Sequence, residues 1–414
     1  MTDPEVTVRM YCTGLGDCHL LTFRTARRTS HVLIDCGYFP GSPFPGVGID
    51  EIVQDIAAVT ENRLDAIVVT HEHQDHLQGF ADEAGRFEAM EKSELWMAWT
   101  EKPGQKIVPS SRTLAALEAA ARGLAASADP EASRTGGAVQ EMLGFSQGTA
   151  RTFDTVKGWF PAASRKYWKP GDVLEPDWLP GVRVHVLGPP ADLAMLHKKT
   201  GTKGTQMYEL AADPFGFAAA ALDVSEPGTL SPFDAKYARA KLPDPVAGLY
   251  EEAWRRIDSD WLLSASRLAL QLDTYTNNTS LVLAFELKAS GRVLLFVGDA
   301  QIGNWLSWPS VRFTDPKGRE LDVTSADLLS RTVFYKVGHH GSHNATLVEG
   351  GLSGMTSGDL HAAIPTNAAW AQSAKNWVMP NANLLKALNR KCAKPVMRAD
   401  KPVNKQDPCI QFTL

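Results

Sequence analysis

The feature that most constrains this chain is a group of four potential metal ligands that follows a run of apolar residues. The run, Ala66–Val69, is typical of a buried β-strand. The ligands stand within six residues: His71, His73, Asp75 and His76. Because side chains alternate along a strand, the first two fall on one side as the strand frays, and the following turn can bring the other two to the same space. A polar loop rarely holds such a group, so the sequence predicts a metal site with ligands enough for two adjacent ions.

Glu72 lies inside this group, but it does not match the helical zinc-protease motif. That motif, His-Glu-x-x-His, needs a histidine at position 75, where this chain has Asp75. We therefore interpret Glu72 as a solvated carboxylate, or as one that supports a ligand through a hydrogen bond, and not as a general base.

Composition places the 414-residue chain among ordinary globular proteins, because hydrophobic residues make up 44% and charged residues 21%. The formal charge, 42 basic against 47 acidic residues, is −5, which argues against a broad basic face for duplex nucleic acid. The N-terminus has no basic segment followed by an apolar one, and no apolar run approaches a bilayer span. We expect a soluble cytoplasmic protein without membrane contact. The five cysteines are scattered, and we interpret them as reduced, mostly buried thiols.

The N-terminal part predicts alternating strands and helices. An apolar strand ends at Asp35, just before Gly37, which is a place for a carboxylate that orients a metal-binding loop through a hydrogen bond. Residues 49–60 have helical apolar spacing, and residues 64–70 return to a strand that delivers the ligand group. A strand, a helix and a second strand in this order predict an α/β layer arrangement.

Residues 100–270 differ in texture, and we interpret them as a mostly helical insertion that walls the site. Residues 111–160 and Leu249–Leu272 have helical periodicity, with Trp254 and Trp261 at positions typical of packing. Within this stretch, His185 alternates with apolar residues, which favours a core or edge histidine over a ligand.

Two later strands also end in ligand-type residues. The first, residues 291–297, leads to Asp299, and the second, residues 332–337, leads to His339 and His340. Ser342 and His343 follow and are further possible supporting groups or ligands. Three buried strands that each end in such residues predict one site at one edge of the sheet core.

These motifs, in this order, resemble the metallo-β-lactamase superfamily, and within it the hydrolase domain of ComEC-type competence proteins without their membrane channel. The ComEC-type likeness rests on Gly-x-Gly-Asp17, Leu-Ile-Asp35-Cys-Gly, Asn277-Asn278-Thr-Ser280, Gly298-Asp299-Ala300 and Lys336-Val-Gly-His-His-Gly-Ser342. It covers about residues 6–99 and 277–370. It implies an α/β fold, a four-layer αββα sandwich, with residues 1–99 and 271–414 as its two halves and 100–270 as the insertion.

The resemblance also implies a ligand set. His71 and His73 would hold the first metal, Asp75 and His76 the second, and Asp299 would bridge the two. Of the adjacent pair, His339 is favoured as the last ligand of the second metal, and His340 would support it or contact the leaving group. Imidazole and carboxylate ligands favour Zn²⁺, as one or two ions, with Mn²⁺ or Fe²⁺ as alternatives.

Two departures from the superfamily pattern matter. Asn277 and Asn278 stand where many members have a further histidine for the first metal, as they do in ComEC-type sequences, which predicts a more open or weaker first site. Met379 stands before Pro380, where ComEC-type sequences usually carry a histidine, so a candidate acid or phosphate contact is absent.

The resemblance favours a metal-dependent hydrolase, a phosphodiesterase or nuclease that acts on nucleic acid or a nucleotide through a metal-activated water. Asp75, His340 and Lys336 are the candidate catalytic residues. The candidate phosphate contacts are Lys336, Lys375, Arg331 and Ser342, each of which has an equally plausible structural role. Two alternatives remain open: a hydrolase of an ester, lactone or amide on the same metals, and a catalytically weak, metal-stabilised binding or regulatory protein. The sequence identifies no protein partner.

Overall fold

The computed structural model describes residues 2–105, 148–196, 198, 276–375 and 377–414, together with 122, 125 and 126. The chain divides into two compact units. The first comprises Met1–Gln105, Gly148–Glu209 and Tyr275–Leu414. The second comprises Lys106–Gln147 and Leu210–Thr274, of which only three residues are described. The architecture below is that of the first unit.

The first unit is an α/β structure with two seven-stranded mixed sheets. The first sheet has the order β14-β1-β2-β3-β4-β5-β6. Its strands are β1 (Glu5–Tyr11), β2 (Cys18–Arg24), β3 (Thr29–Cys36), β4 (Arg63–Val68), β5 (Glu91–Ala98), β6 (Arg165–Trp168) and β14 (Cys409–Thr413). Pairing is antiparallel from β14 to β3 and parallel from β3 to β6.

The second sheet has the order β13-β12-β11-β10-β9-β8-β7. Its strands are β7 (Val173–Leu174), β8 (Val182–Gly188), β9 (Val282–Leu287), β10 (Val293–Phe296), β11 (Thr332–Lys336), β12 (His361–Ile364) and β13 (Met397–Arg398). Pairing is antiparallel from β7 to β10 and parallel from β10 to β13. Each sheet therefore has one antiparallel and one parallel part.

Helices connect and cover the strands. They span Ile49–Thr60, Gln74–Asp82, Ala84–Ala89, 148–158, Leu193–Leu196, Ile302–Ser307, Ser325–Ser330, Ala368–Lys375 and Ala382–Lys391. The first begins where the Glu51 carboxylate accepts a hydrogen bond from the Gly48 backbone N–H, and it buries Ile52 and Ile56 one turn apart on one face. Among the described helices, none has the length and hydropathy needed to cross a membrane.

Three hydrophobic cores set the layers. The inner core joins the facing sides of the two sheets, and alternation on β9 shows this: Leu283 and Phe285 enter the inner core, whereas Val282 and Ala284 enter an outer one. Helices Ile302–Ser307, Ser325–Ser330 and Ala382–Lys391 complete that outer core. Helices Ile49–Thr60 and Gln74–Asp82 and residues 148–158 pack on the far side of the first sheet. Each sheet thus buries one face against its partner and the other against helices.

The structure divides residues 100–270 differently from the sequence prediction. Residues 165–188 supply β6 to the first sheet and β7 and β8 to the second, so they belong to the sheets and not to a helical insertion. In addition, β14 from the C-terminal part pairs with β1 in the first sheet. The predicted helix Leu249–Leu272, with Trp254 and Trp261, lies outside the described residues, and so does most of 111–160.

The parallel parts of the two sheets deliver the candidate site. Asp35 is the penultimate residue of β3, and the histidine group follows β4. Asp299 follows β10, and the adjacent histidine pair follows β11. Ligand sites in α/β sheets commonly lie beyond the carboxyl ends of parallel strands, and all four of these segments end there.

Candidate metal centre

Asp35 organises the loop that carries the first ligands. Its backbone is left-handed, with φ of 55°, and its buried carboxylate accepts hydrogen bonds from the Thr70 backbone N–H (2.9 Å) and from Thr70 Oγ1 (2.7 Å). The other side of the loop lies against Gly37, where an added Cβ would stand 2.4 Å from the backbone carbons of Asp75 and His76. The end of β3 therefore holds the ligand loop by hydrogen bonds and by close backbone contact.

Four ligand atoms converge next to this loop. They are Asp75 Oδ2, His76 Nε2, Asp299 Oδ2 and His340 Nε2. His76 Nε2 lies 3.3 Å from Asp299 Oδ2 and 3.7 Å from Asp75 Oδ2. His340 Nε2 lies 2.7 Å from Asp75 Oδ2 and 3.7 Å from Asp299 Oδ2. Ligands about 2.0–2.2 Å from a tetrahedral zinc ion would stand about 3.3 Å from one another, so three of these spacings suit one shared cation. The fourth, 2.7 Å, is a hydrogen bond between His340 Nε2 and Asp75 Oδ2.

The hydrogen bonds of His76 and His340 determine which ring nitrogen of each faces the two carboxylates. His76 Nδ1 donates to Asp35 Oδ2 (2.7 Å), and His340 Nδ1 donates to the Pro365 carbonyl (2.7 Å). Their Nε2 atoms are therefore left to face the carboxylates, and buried His76 Nε2 has no hydrogen-bond partner among the described residues. Bare imidazole nitrogens and carboxylates repel each other unless a positive charge lies between them. The donor set fits a metal ion.

The pKa values of His76, His340 and Asp75 also show that positive charge is favoured among these side chains. Burial alone would lower the pKa of both His76 and His340, but the carboxylates around them, chiefly that of Asp299, raise it. Burial opposes ionisation of Asp75, yet His76 and His340 lower its pKa. Positive charge on these two histidines is therefore stabilised by the carboxylates around them.

His71 and His73 form a second pair of facing nitrogens. Thr70 Oγ1 donates its hydrogen bond to Asp35, so it acts as the acceptor for His71 Nδ1 at 3.1 Å. The remaining nitrogen, His71 Nε2, lies 3.0 Å from His73 Nδ1. Burial, with the neighbouring imidazoles, lowers the pKa of His71 well below its usual value, which keeps it neutral and available as a ligand. This pair suits a first metal ion with two protein ligands.

The two asparagines that stand where a third histidine is often found are both buried. Asn278 Nδ2 donates to the carbonyls of Leu196 and Lys198, each at 3.2 Å, and its Oδ1 accepts from the Asn304 backbone N–H. Asn278 thus ties helix Ile302–Ser307 to the residues after β8.

Of the adjacent pair, His340 and not His339 reaches the four-atom cluster. Both residues have left-handed backbones, with φ of 44° and 52°. His339 contributes its backbone N–H to Asp299 Oδ1 (2.9 Å), while its ring Nδ1 lies 2.7 Å from Ser342 Oγ and 3.2 Å from Gln301 Nε2. The ring of His340 therefore joins the four-atom cluster, where the sequence favoured His339, and Ser342 Oγ contacts the His339 ring.

Lys336 lies beneath the cluster and not at its mouth. Its buried ammonium group contacts the Gly298 carbonyl (2.7 Å), Asp299 Oδ1 (3.2 Å) and the Asp17 carboxylate. Burial alone would lower the pKa of Lys336, but the two carboxylates raise it well above its usual value. All three of its N–H bonds have acceptors, so it balances buried negative charge instead of binding a substrate phosphate.

Asp17 is a residue of the site to which the sequence analysis assigned no role of its own. With Asp35 and His76 it forms a second acidic group, in which Lys336 supplies the positive charge. A lysine within the otherwise apolar strand Thr332–Lys336 was the available signal, because a buried lysine requires a carboxylate partner.

The remaining candidates are not members of the four-atom cluster. Arg331 Nη1 binds Glu286 Oε1 (2.8 Å), and Lys375 Nζ lies over the ring of Phe39 (5.1 Å). His343 is partly buried, which lowers its pKa. Burial, followed by the charge of Glu101, raises the pKa of Glu72 to about 7.

His185 has the core role that its alternation predicts. It is fully buried, with Nε2 2.7 Å from Glu286 Oε2.

No family model matches this sequence, and no curated protein matches it significantly.

Proposed function

We propose that this protein is a metal-dependent hydrolase with a metallo-β-lactamase-type fold, and that it cleaves phosphodiester bonds in nucleic acid or nucleotides. The observation that carries the proposal is the convergence of Asp75, His76, Asp299 and His340 beside the facing pair His71 and His73. Two clusters of nitrogen and carboxylate ligands next to each other are what a two-ion hydrolytic site requires.

The layer order supports the fold assignment. Two sheets share an inner core, helices cover both outer faces, and the ligands stand beyond the strand ends in the order implied by the resemblance. We infer a four-layer αββα sandwich of the metallo-β-lactamase type. Zn²⁺ is the first choice for imidazole and carboxylate ligands, and Mn²⁺ or Fe²⁺ is the alternative.

The residues of this chain have distinct roles in the proposed reaction. The six residues named above would hold the divalent cations, whose chemistry when bound would be to lower the pKa of a water molecule and to offset the negative charge of the transition state. Asp299 is held at Oδ1 by Lys336 and the His339 backbone, so its Oδ2 points at both histidine nitrogens. Because the pKa of Asp75 is lowered, its carboxylate is a better ligand than proton acceptor. Asp35 fixes the tautomer of His76 through Nδ1.

One observation favours the second candidate, a hydrolase of an ester, lactone or amide. Two of the cationic side chains proposed as phosphate contacts have other partners: Lys336 binds Asp17 and Asp299, and Arg331 binds Glu286. An uncharged substrate would not need them. Lys375 remains the cationic candidate at the surface of the site.

A substrate panel with and without chelator separates the two candidates. The purified protein is stripped of metal, reloaded with Zn²⁺ or Mn²⁺, and incubated with single-stranded DNA, RNA, a cyclic dinucleotide, a nitrophenyl ester and a lactone. We expect metal-dependent cleavage of at least one phosphodiester, lost in Asp299→Asn. Chelator-sensitive ester or lactone cleavage with every phosphodiester intact would instead establish the second candidate.

A further inference from the structure

Three aromatic rings and a lysine form a surface cluster on two segments that flank the metal centre. The rings of Phe39 and Trp370 have centroids 5.4 Å apart, and those of Phe39 and Trp377 are 5.6 Å apart and nearly perpendicular. Lys375 Nζ lies 5.1 Å from the centre of the Phe39 ring and 5.9 Å from that of Trp370. We call these four residues the aromatic cluster.

Both segments are anchored to the residues that hold the metal ligands. Phe39 stands two residues after Gly37, which touches the backbone of Asp75, so the Cα atoms of Phe39 and Gly37 are within about 8 Å of each other. The other three residues belong to the segment 366–381. It follows Pro365, whose carbonyl accepts from His340 Nδ1, and it ends where the Asn381 N–H donates to the Gly341 carbonyl (2.8 Å). The aromatic cluster therefore lies on two segments whose ends contact the residues of the metal centre.

The aromatic cluster is exposed in a way that packing does not explain. Trp377 is 38% exposed and its neighbour Val378 67%, whereas Phe39 and Trp370 are partly exposed. None of the three rings belongs to the hydrophobic cores of the described residues. Large aromatic rings beside a polar site, with a cation against them, are a stacking surface for a flat ligand.

We propose that the aromatic cluster stacks an unpaired base of a single-stranded nucleic acid and so places the adjoining phosphodiester at the metal centre. This inference rests on the proposed function. Aromatic side chains bind the faces of bases in single strands, and those faces are covered in a duplex. Lys375 supplies a positive charge for a phosphate next to the stacked base. The net charge of −5 also favours a ligand held by stacking over a duplex held by its charge.

Binding measurements with and without bases test the proposal. Full-length protein in EDTA, with its fold monitored by circular dichroism, is titrated into fluorescent eight-nucleotide oligothymidine and into an abasic oligomer of equal charge. We expect oligothymidine to bind about tenfold more tightly than the abasic strand, a difference that stacking of one base supplies. Trp370→Ala and Trp377→Ala should remove the difference, and Trp377→Phe should retain it.

Val378→Ala is the matched control, because it alters a more exposed apolar neighbour without removing a ring, and it should behave as the wild type. Equal binding of both strands by the wild type, or an unchanged preference in both tryptophan variants, would overturn the proposal. The same proteins reloaded with Zn²⁺ are tested for cleavage of oligothymidine. Cleavage without a preference for the strand with bases would support the proposed function and contradict base stacking. A preference for the strand with bases without any hydrolysis would support base stacking and contradict the proposed function.

Discussion

At the scale of single residues, the centre depends on which nitrogen of each imidazole faces the carboxylates. Asp35 accepts a hydrogen bond from His76 Nδ1, and the Pro365 carbonyl accepts one from His340 Nδ1. The Nε2 atoms of both rings therefore face Asp75 and Asp299. Partners of this kind fix the orientation and the tautomer of a histidine before the metal arrives. The arrangement is therefore preorganised for a cation.

Replacement of the two adjacent histidines distinguishes the ligand from its neighbour. We expect His340→Ala to lower the affinity for Zn²⁺ at least 100-fold, because it removes one of four converging ligand atoms. His339→Ala keeps the backbone N–H that binds Asp299, so its effect should be within about tenfold. Competition with a chromophoric chelator measures both affinities. A larger loss in His339→Ala than in His340→Ala would contradict the assignment.

At the scale of elements, the turn after β3 and the ligand loop after β4 require a glycine between them. A Cβ on Gly37 would stand 2.4 Å from the backbone of Asp75 and His76, so Gly37→Ala should displace the loop and lower the metal affinity at least tenfold. Gly85 lies in the exposed helix Ala84–Ala89 with no atom within 4 Å of an added Cβ. Gly85→Ala should therefore raise stability by up to about 1 kcal/mol. Chelator competition and urea unfolding provide the two readouts, and wild-type metal affinity in Gly37→Ala would refute the packing argument.

A buried carboxylate joins β8, β9 and the start of β11. Glu286 accepts from His185 and Arg331, and although burial opposes it, these hydrogen bonds lower the pKa of Glu286 from 4.5 to about 2. Because the folded pKa is depressed, the stabilisation is complete above pH 4.5 and is lost as the pH falls towards 2. Glu286→Gln should lower the free energy of unfolding by about 2 kcal/mol at pH 7. Urea unfolding at pH 7, 4 and 3 should show this difference shrinking, and a constant difference would exclude the linkage.

At the scale of the whole molecule, the sequence predicted the strand ends that carry the candidate site residues better than it predicted the rest of the sheets. The positions of Asp35, the four-ligand loop and Asp299 follow from apolar strands that end in ligand-type residues, which are local patterns. β6 and β7 have only four and two residues and no alternating apolar pattern, so their place in the sheets depends on contacts distant in sequence. The pairing of Lys336 with Asp17 likewise exists only once both sheets have formed. His339 and His340 both have left-handed backbones, a conformation that the spacing of apolar residues in the sequence does not predict.

Metal removal should destabilise the entire fold in a pH-dependent way. In the metal-free protein the pKa values of His76 and His340 are raised, so protons compete with the metal above the usual histidine range and the metal affinity rises with pH. A ligand that binds only the folded state at 1,000 times its dissociation constant adds about 4 kcal/mol. We expect EDTA to lower the Tm, by more at pH 8 than at pH 6. An equal Tm with and without EDTA at both pH values would contradict a structural contribution of the metal.

The central claim is that one centre collects ligands from the ends of β4, β10 and β11, while Asp35 at the end of β3 holds the ligand loop. The most direct measurement is anomalous diffraction from crystals of the zinc-loaded protein, recorded above and below the zinc absorption edge. The account predicts a peak bonded to Asp75, His76, Asp299 and His340, with any second peak between His71 and His73. A zinc peak bonded to other residues, or to His339 in place of His340, would contradict it.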